Sequence, residues 1–426
     1  MLRLLTPALI AALALPVLPG LAQEQTAAAA GPRPVLTLRS ADPYPVSQIA
    51  REFGHRQALP ALDTGEHYVL TVDPDRAVAV ATATGAVRFL EVAVEPGALM
   101  ELFADEIAKV KGIAQGVGVL AMTQQGMPAK EAAGLVAGIF DFPYLLERAE
   151  FVMRSDPSAM ETDGLEIEVA VTAKPGNWLA GTVEALRPAA SGCPVLPGSE
   201  GRMMAVQVSF DPEALGERCE PLMEFGLSMS YRDEAVRARA RALWRRMMQL
   251  YDGGLAFAIG EGMCMEGLYG FRDGEELATF VQSPDYVELM RAQQPTAGNV
   301  EIELKEDVFE HRGAKFFELV IYNDGPANPM MPDDEMHQFA ATLGSYMLMG
   351  GTPERAKAIA DVVADGAVQR EQLADGAVFA MSIGLREWFA ALGQGRISAK
   401  AERMPARMSI QLTPKGRTLT AVVKAR

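Results

Sequence analysis

The side chains that could do chemistry are few and scattered. The chain holds four His, and its three Cys are Cys193, Cys219 and Cys264. The densest ionisable group is Asp333, Asp334, Glu335 and His337, three carboxylates and an imidazole within five residues. Oxygens in that density suit a hard cation. Pro332 ahead of the run equally suits a helix start, where carboxylates meet free N–H groups and the positive dipole end, and the helix start is the preferred reading. His55 and His67 stand twelve residues apart in loop-like sequence. The nearest approach to a nucleophile elbow, Phe225-Gly226-Leu227-Ser228-Met229, lacks the second Gly. A triad assembled from distant residues stays open, as triads often are.

Methionine is abundant at 23 residues, and its spacing matters. Met263 with Met265, and Met347 with Met349, are two apart, which on a strand places both thioethers on one face. Soft sulfur suits Cu(I), but Met is also an adaptable core filler, and core or groove packing is preferred. Met203-Met204 and Met330-Met331 read the same way. Cys264, between two Met in an alternating pattern, reads as a buried strand thiol with no activating neighbour. Gly112, Gly116 and Gly118 read as preceding a strand, and Gly260, Gly262 and Gly267 as part of a hairpin. Neither has the strand–glycine loop–helix order of a phosphate site. No catalytic, cofactor-binding or metal-ligating residue is assigned.

The elements behind these residues follow from periodicity. Residues 164–173 and 315–322 alternate apolar and polar, and 408–424 does so around a Pro-Lys-Gly turn, which predicts a hairpin. Alternation implies strands with one wet face, hence antiparallel sheets covered on one side by helices. Helical spacing covers 97–110, 129–150, 233–251, 274–281, 334–343, 353–364 and 385–392. The helix at 233–251 carries Arg237, Arg241 and Arg245 on one face, with Arg239 and Arg246 nearby. Pairing with the chain's own carboxylates is preferred there over docking of an external anion.

Sliding the chain on itself brings residues 79–103 onto 256–280 at an offset of 177, and 201–215 onto 376–390 at 175. In the first pair Gly85 meets Gly262, and each copy reads as strand, turn, strand, helix. A period of this length is a domain duplication; solenoid repeats recur every ~20–50 residues. The expected class is α+β: two related modules, each an antiparallel sheet packed with helices, residues 35–232 and 253–426, joined by a linking helix at 233–252.

Residues 1–22 read as a secretory signal peptide: Arg3, an apolar run from Leu4 to Leu18, and small residues at Gly20 and Ala22 ahead of a cut before Gln23. Residues 23–34 read as a flexible leader. The full chain carries −16 and the signal contributes Arg3 and no acid, so the mature chain carries −17. That charge argues against nucleic acid or an anionic membrane surface as the main partner, and no later run is long and apolar enough to be an integral membrane segment. In an oxidising compartment three Cys admit one pair, with Cys193 and Cys219 the candidates, or none.

The tandem arrangement, the stretch from Asp252 through LYGFRDGEELATFV and the ending GRTLTAVVKAR resemble uncharacterised secreted bacterial proteins that carry repeated strand–helix modules. The resemblance implies an exported modular protein and brings no catalytic residues with it. The expected function is therefore a non-catalytic binding or structural role in the periplasm or outside the cell, with an unknown protein or an apolar small molecule as partner. A carrier of an apolar ligand such as a lipid is the alternative, and a hydrolase with a dispersed site comes third.

Overall fold

A computed structural model describes residues 34–55, 57–85, 89–124, 129–154, 164–198, 202–230, 233–260, 264–286, 288, 300–323, 335–391 and 405–425. Residues 1–22, read as a signal peptide, and nearly all of residues 23–34, read as a leader, lie outside these residues. The described residues divide into two compact units: an N-terminal unit of residues 34–184 together with 414–425, and a C-terminal unit of residues 185–413. These boundaries differ from the expected modules at 35–232 and 253–426, because the last strand of the chain completes the first unit.

In the N-terminal unit the strands are β1 (Leu36–Ser40), β2 (Glu66–Val72), β3 (Val78–Thr84), β4 (Leu90–Val94), β5 (Leu146–Met153), β6 (Leu165–Ala173) and, from the C-terminus, β18 (Thr418–Ala425). They pair antiparallel in the order β18-β6-β5-β4-β1-β2-β3. Helix α1 (Pro43–Glu52) is capped by the Asp42 carboxylate, which accepts from the Tyr44 N–H, and it begins on a proline. Its Val46 and Ala50 bury against Leu36, Leu38, Leu70 and Val72. Helices α2 (Pro96–Leu102), α3 (Ala104–Gln124) and α4 (Ala129–Asp141) follow β4, and α5 (Trp178–Ala185) follows β6.

The C-terminal unit contains a two-residue strand β7 (Cys193–Pro194), β8 (Met204–Ser209), β9 (Tyr251–Ile259), β10 (Met265–Phe271), β11 (Val300–His311), β12 (Ala314–Asn323), β13 (Glu335–Leu343), β14 (Tyr346–Gly350), β15 (Arg370–Glu371), β16 (Phe379–Gly384) and β17 (Arg407–Lys415). Its sheet runs β11-β12-β13-β14-β10-β9-β8-β16-β17, all antiparallel, and β7 pairs separately with β15. Its helices are α6 (Pro212–Leu215), α7 (Glu220–Ser230), α8 (Glu234–Leu250), α9 (Gly274–Val281), α10 (Pro353–Ala364) and α11 (Leu385–Ala391). Asp211, Asp233 and Asp273 cap α6, α8 and α9, and Thr352 caps α10. Ala356, Ile359 and Ala360 of α10 bury against Ala256, Leu268, Phe316, Phe339 and Leu348.

Several expectations hold: strands at 165–173, 314–323, 407–415 and 418–425, and helices at 234–250, 274–281, 353–364 and 385–391. Others are corrected. The central strands β9 and β10 are buried almost continuously and have no wet face. Residues 335–343 form strand β13, not the predicted helix, because β12 and β14 flank it and pair along it. The predicted helix over 129–150 stops at Asp141 and gives way to β5. Gly112, Gly116 and Gly118 lie inside α3 and precede no strand.

The block at 79–103 is not the hairpin expected. Strand β3 pairs with β2, and β4 pairs with β1 and β5, whereas β9 and β10 pair with each other. Strands β8 and β16, from the second pair of matching blocks, are direct neighbours, Phe379 opposite Val208 and Ile383 opposite Met204.

Candidate functional site

One buried polar cluster inside the C-terminal unit draws its members from segments far apart in sequence. Glu266 of β10 is 1% exposed. Two guanidinium groups meet its carboxylate. Arg355, in the first turn of α10, donates from Nε at 2.7 Å and from Nη2 at 2.6 Å, and Arg202, just before β8, donates at 3.1 Å. The Arg355 pair is the two-pronged geometry that makes such contacts strong. Thr352 Oγ1 accepts from the Arg355 backbone N–H at 3.2 Å, so the helix cap also places this side chain. Hydrogen bonding to Glu266 raises the Arg355 pKa further. Two cations on one carboxylate leave the group with a net positive charge, and it joins β10, α10 and the segment entering β8.

A second cluster lies where β9 begins. Asp252 accepts from Arg370 Nη1 at 2.6 Å and from the Gly254 N–H at 2.8 Å, and Arg370 donates from Nη2 to the Gly192 carbonyl at 3.0 Å. A Cβ at Gly254 would overlap Arg370, and one at Gly270 would overlap the Asp252 carboxylate. The two glycines thus admit an ion pair to the sheet surface. Tyr251, beside it, is fully buried, and desolvation followed by the Asp252 charge pushes its phenol well above the usual range.

The cluster read as a helix start lies instead on the sheet. Glu335 and His337 share one face of β13; Asp333 and Asp334 lie outside the described residues. His337 Nδ1 is 2.8 Å from Glu318 and Nε2 is 3.3 Å from Glu335. The hydrogen bond to Glu318 raises the imidazole pKa. Lys305, 3.6 Å from Glu318, balances part of the negative charge. Among the described residues no group of three or more His, Cys, Asp or Glu is placed to hold a metal ion.

The thiols are free and unactivated. Cys193 and Cys219, the candidate disulfide pair, are both buried and unpaired, and burial pushes each up to about 11. Cys193 sits in β7 with Sγ 3.5 Å from the Glu371 carbonyl, and Cys219 hydrogen-bonds the Gly216 carbonyl at 3.0 Å. Cys264 is not the buried strand thiol expected: it is partly exposed and immediately precedes β10. Burial first, then the Glu266 charge, raises its pKa. A thiolate is the reactive form, so none of the three is primed as a nucleophile at neutral pH.

Met347 and Met349 are buried in the core, opposite Tyr269 and Gly267 of β10. Met263, Met330 and Met331 lie outside the described residues. The arginines of α8 pair with carboxylates: Arg237 with Glu234, Arg239 with Glu288, Arg241 with Glu224, Arg245 with Glu220 and Arg246 with Glu276. The Arg241 bond is the main reason that the Glu224 carboxyl lies below the usual range. His55 ends the turn after α1. His67 of β2 is buried, with no hydrogen-bond partner for either ring nitrogen.

The pairs Glu266–Arg355 and Asp252–Arg370 had no local signal in the sequence, since 89 and 118 residues separate the partners. The glycines that make room for the Asp252–Arg370 pair are Gly254 and Gly270, and nothing in the sequence set them apart. Comparison with family models, curated proteins and solved structures finds no match to this chain.

Proposed function

We propose that this chain is an exported, non-catalytic binding or structural protein built on a duplicated strand–helix module. The observation that carries the reading is how the interior charges are used. Glu266, Asp252 and their arginines meet one another as ion pairs that tie helix, strand and loop together. Removing either partner of such a pair leaves a buried charge, so these groups are suited to holding a scaffold.

The duplication is supported by the order of elements. The run β5, β6, α5, β7, β8 recurs as β13, β14, α10, β15, β16. Trp178 and Pro353, which open the two helices, are 175 apart, as are the strand starts Met204 and Phe379, while Cys193 and Arg370 are 177 apart. Equivalent strands also meet: β7 pairs with β15 and β8 with β16. In this scheme the block at 201–215 keeps its partner at 376–390, and the block at 79–103 loses its partner.

Export rests on Arg3, the apolar run and the small residues ending at Ala22. Expression with the complete N-terminus, cell fractionation and N-terminal sequencing test it. Protein outside the cytoplasm beginning within about three residues of Gln23 is expected; soluble cytoplasmic protein retaining Met1 overturns export.

A second reading, carriage of an apolar ligand, is favoured by one observation. Met347, Met349, Tyr269 and Gln338 share a sheet face by cross-strand register, and the Tyr269 hydroxyl and the Gln338 amide nitrogen are buried without a partner. Native mass spectrometry of protein from its own host separates the readings: stoichiometric lipid supports the carrier, and its absence the scaffold.

A further inference from the structure

An edge strand offers a row of unpaired N–H and C=O groups, and native sheets guard such rows with charge, proline or bulges. Strand β11, at one end of the C-terminal unit's sheet, is guarded. It carries Glu301, Glu303, Lys305, Glu306, Asp307 and Glu310, and its register with β12 shifts between Lys305 and Phe309, where Asp307 takes φ +50°. Strand β3, at the end of the N-terminal unit's sheet, has none of these devices. Its sequence, Val-Ala-Val-Ala-Thr-Ala-Thr, holds no charge and no proline, and among the described residues it pairs with β2 alone. At seven residues it is longer than the mean strand of ~5–6, so the open row is long enough to bind a further strand.

The ladder fixes which groups point outward. In register with β2, the Ala77 carbonyl accepts from the Asp73 N–H, and the Gly85 N–H donates to the Gly65 carbonyl. Main-chain groups alternate in direction along a strand. Ala79, Ala81 and Ala83 therefore also address β2, and Val78, Val80, Thr82 and Thr84 turn their N–H and C=O groups away from it. The side chains alternate too. Val78 and Val80 lie at the margin of the N-terminal core and are only partly buried, whereas Ala79 and Ala81 are exposed on the opposite face.

These two alternations select the occupant. A foreign peptide added to a sheet edge is recognised through pockets for its alternate side chains, and a border of Ala offers none. A second β3, run antiparallel about a two-fold axis at Ala81, matches at every position. Val78 meets Thr84, Val80 meets Thr82 and Ala79 meets Ala83, so β-branched side chains face each other on the core side and Ala faces Ala on the other. Outward main-chain groups meet only outward groups, giving about eight hydrogen bonds across the axis, against about ten in an ordinary interface. The strip itself carries no charge, so nothing in it repels a copy. It is one sheet thick, ~24 Å by ~10 Å. That is far less than the about 800 Å² buried on each side of a stable interface, so the contact is reversible.

We propose that β3 is a homotypic docking edge, through which two copies of this chain associate by antiparallel pairing of Val78–Thr84 about a two-fold axis at Ala81. The pairing extends each N-terminal sheet by the strands of the other and covers the partly buried Val80 with Thr82 of the second copy. The net charge of −16 on each copy opposes association. Added salt therefore strengthens it, the reverse of a contact made by ion pairs.

The test is disulfide trapping in the full chain carrying Cys264→Ser, since Cys193 and Cys219 are buried. Facing residues of a non-hydrogen-bonded pair have Cα atoms ~4.5 Å apart, within the ~4.4–6.8 Å that a disulfide spans. Ala81→Cys is therefore expected to give a covalent dimer under mild oxidation. Ala79→Cys alone is expected to give none, because the two substituted positions lie ~14 Å apart along the strand, and mixing it with Ala83→Cys restores the cross-link. Sedimentation of the wild-type chain up to roughly millimolar concentration is expected to show a monomer–dimer equilibrium. Val80→Pro removes an outward N–H and leaves the bonds to β2. It is expected to weaken the dimer at least about tenfold at an unchanged melting temperature. Should that variant melt early, Ala81→Lys, at an exposed position on the axis, takes its place and is expected to weaken the dimer by setting like charges face to face. Cross-linking of Ala81→Cys no faster than of Ala79→Cys alone, a chain that stays monomeric throughout, or a dimer that Val80→Pro and Ala81→Lys leave intact overturns the proposal. So does association that weakens in salt.

Discussion

Replacing Glu266 by Gln keeps the shape of the side chain and removes its charge. Arg355 and Arg202 then face an amide, and the amide NH₂ must point at one guanidinium. Breaking a buried ion pair by neutralising one member costs about 3–5 kcal/mol. Here the carboxylate is 1% exposed, but Arg202 and Arg355 keep 21% and 35% of their side-chain surface in water. Water therefore relieves part of the strain on the two cations, and the expected loss is at the low end, about 3 kcal/mol. For a unit of this size each kcal/mol moves the melting temperature by about 2–4 °C, so a drop of about 6–12 °C is expected. Urea unfolding should show the same loss as a lower midpoint at constant slope. A companion variant separates charge from packing: Glu266→Leu with Arg202→Met and Arg355→Met removes all three charges together. It should lie within about 1 kcal/mol of the wild type. A loss below about 1 kcal/mol for Glu266→Gln would refute the reasoning, because the cluster would then behave as a solvated surface pair.

The remaining predictions concern pH, thiols and backbone. The folded-state pKa of His337 is raised, chiefly by Glu318, so its contribution to stability is complete below the unfolded value of 6.5 and disappears as pH rises through the folded value. The stability difference between wild type and His337→Gln, from urea titrations across the neutral range, should shrink toward alkaline pH; a difference independent of pH would contradict this. Alkylation of the folded chain at mildly alkaline pH should modify Cys264 first, with Cys193 and Cys219 reacting only on denaturation, since burial holds both at about 11. A Cys193–Cys219 disulfide in non-reducing peptide mapping would count against the structure. Gly253 has φ +97°, and a Cβ there would overlap the Phe210 carbonyl, whereas Gly313 has φ +80° with nothing within 4 Å. Gly253→Ala should therefore cost about 3 kcal/mol or more and Gly313→Ala about 1 kcal/mol, by thermal melting; equal losses would show that the overlap is relieved by a small backbone shift.

The elements legible in the sequence are those whose signals are local. Helix α10 begins at Pro353 because Thr352 caps it and a proline suits the first turn, and its apolar residues fall on one side. The two strands β17 and β18 follow from alternation on either side of Pro414-Lys415-Gly416. The arginines of α8 find carboxylates, several of them from nearby segments, so their pairing was foreseeable. Tertiary structure decided what depends on neighbours. Asp333-Asp334-Glu335 has the composition of a helix start, yet ladders to β12 and β14 on both sides make 335–343 a strand. Gly112, Gly116 and Gly118 lower helix propensity, yet α3 runs through all three, and of these only Gly118 meets α4, at Val136. Strands β3 and β4 are adjacent in sequence, but β1 and β2 stand between them in the sheet. The Glu266 and Asp252 clusters gather arginines from 64 to 118 residues away. Hydrophobic periodicity reports which face of a segment is dry; which distant charge will meet a buried carboxylate depends on strand order, and that is settled only when the sheet assembles.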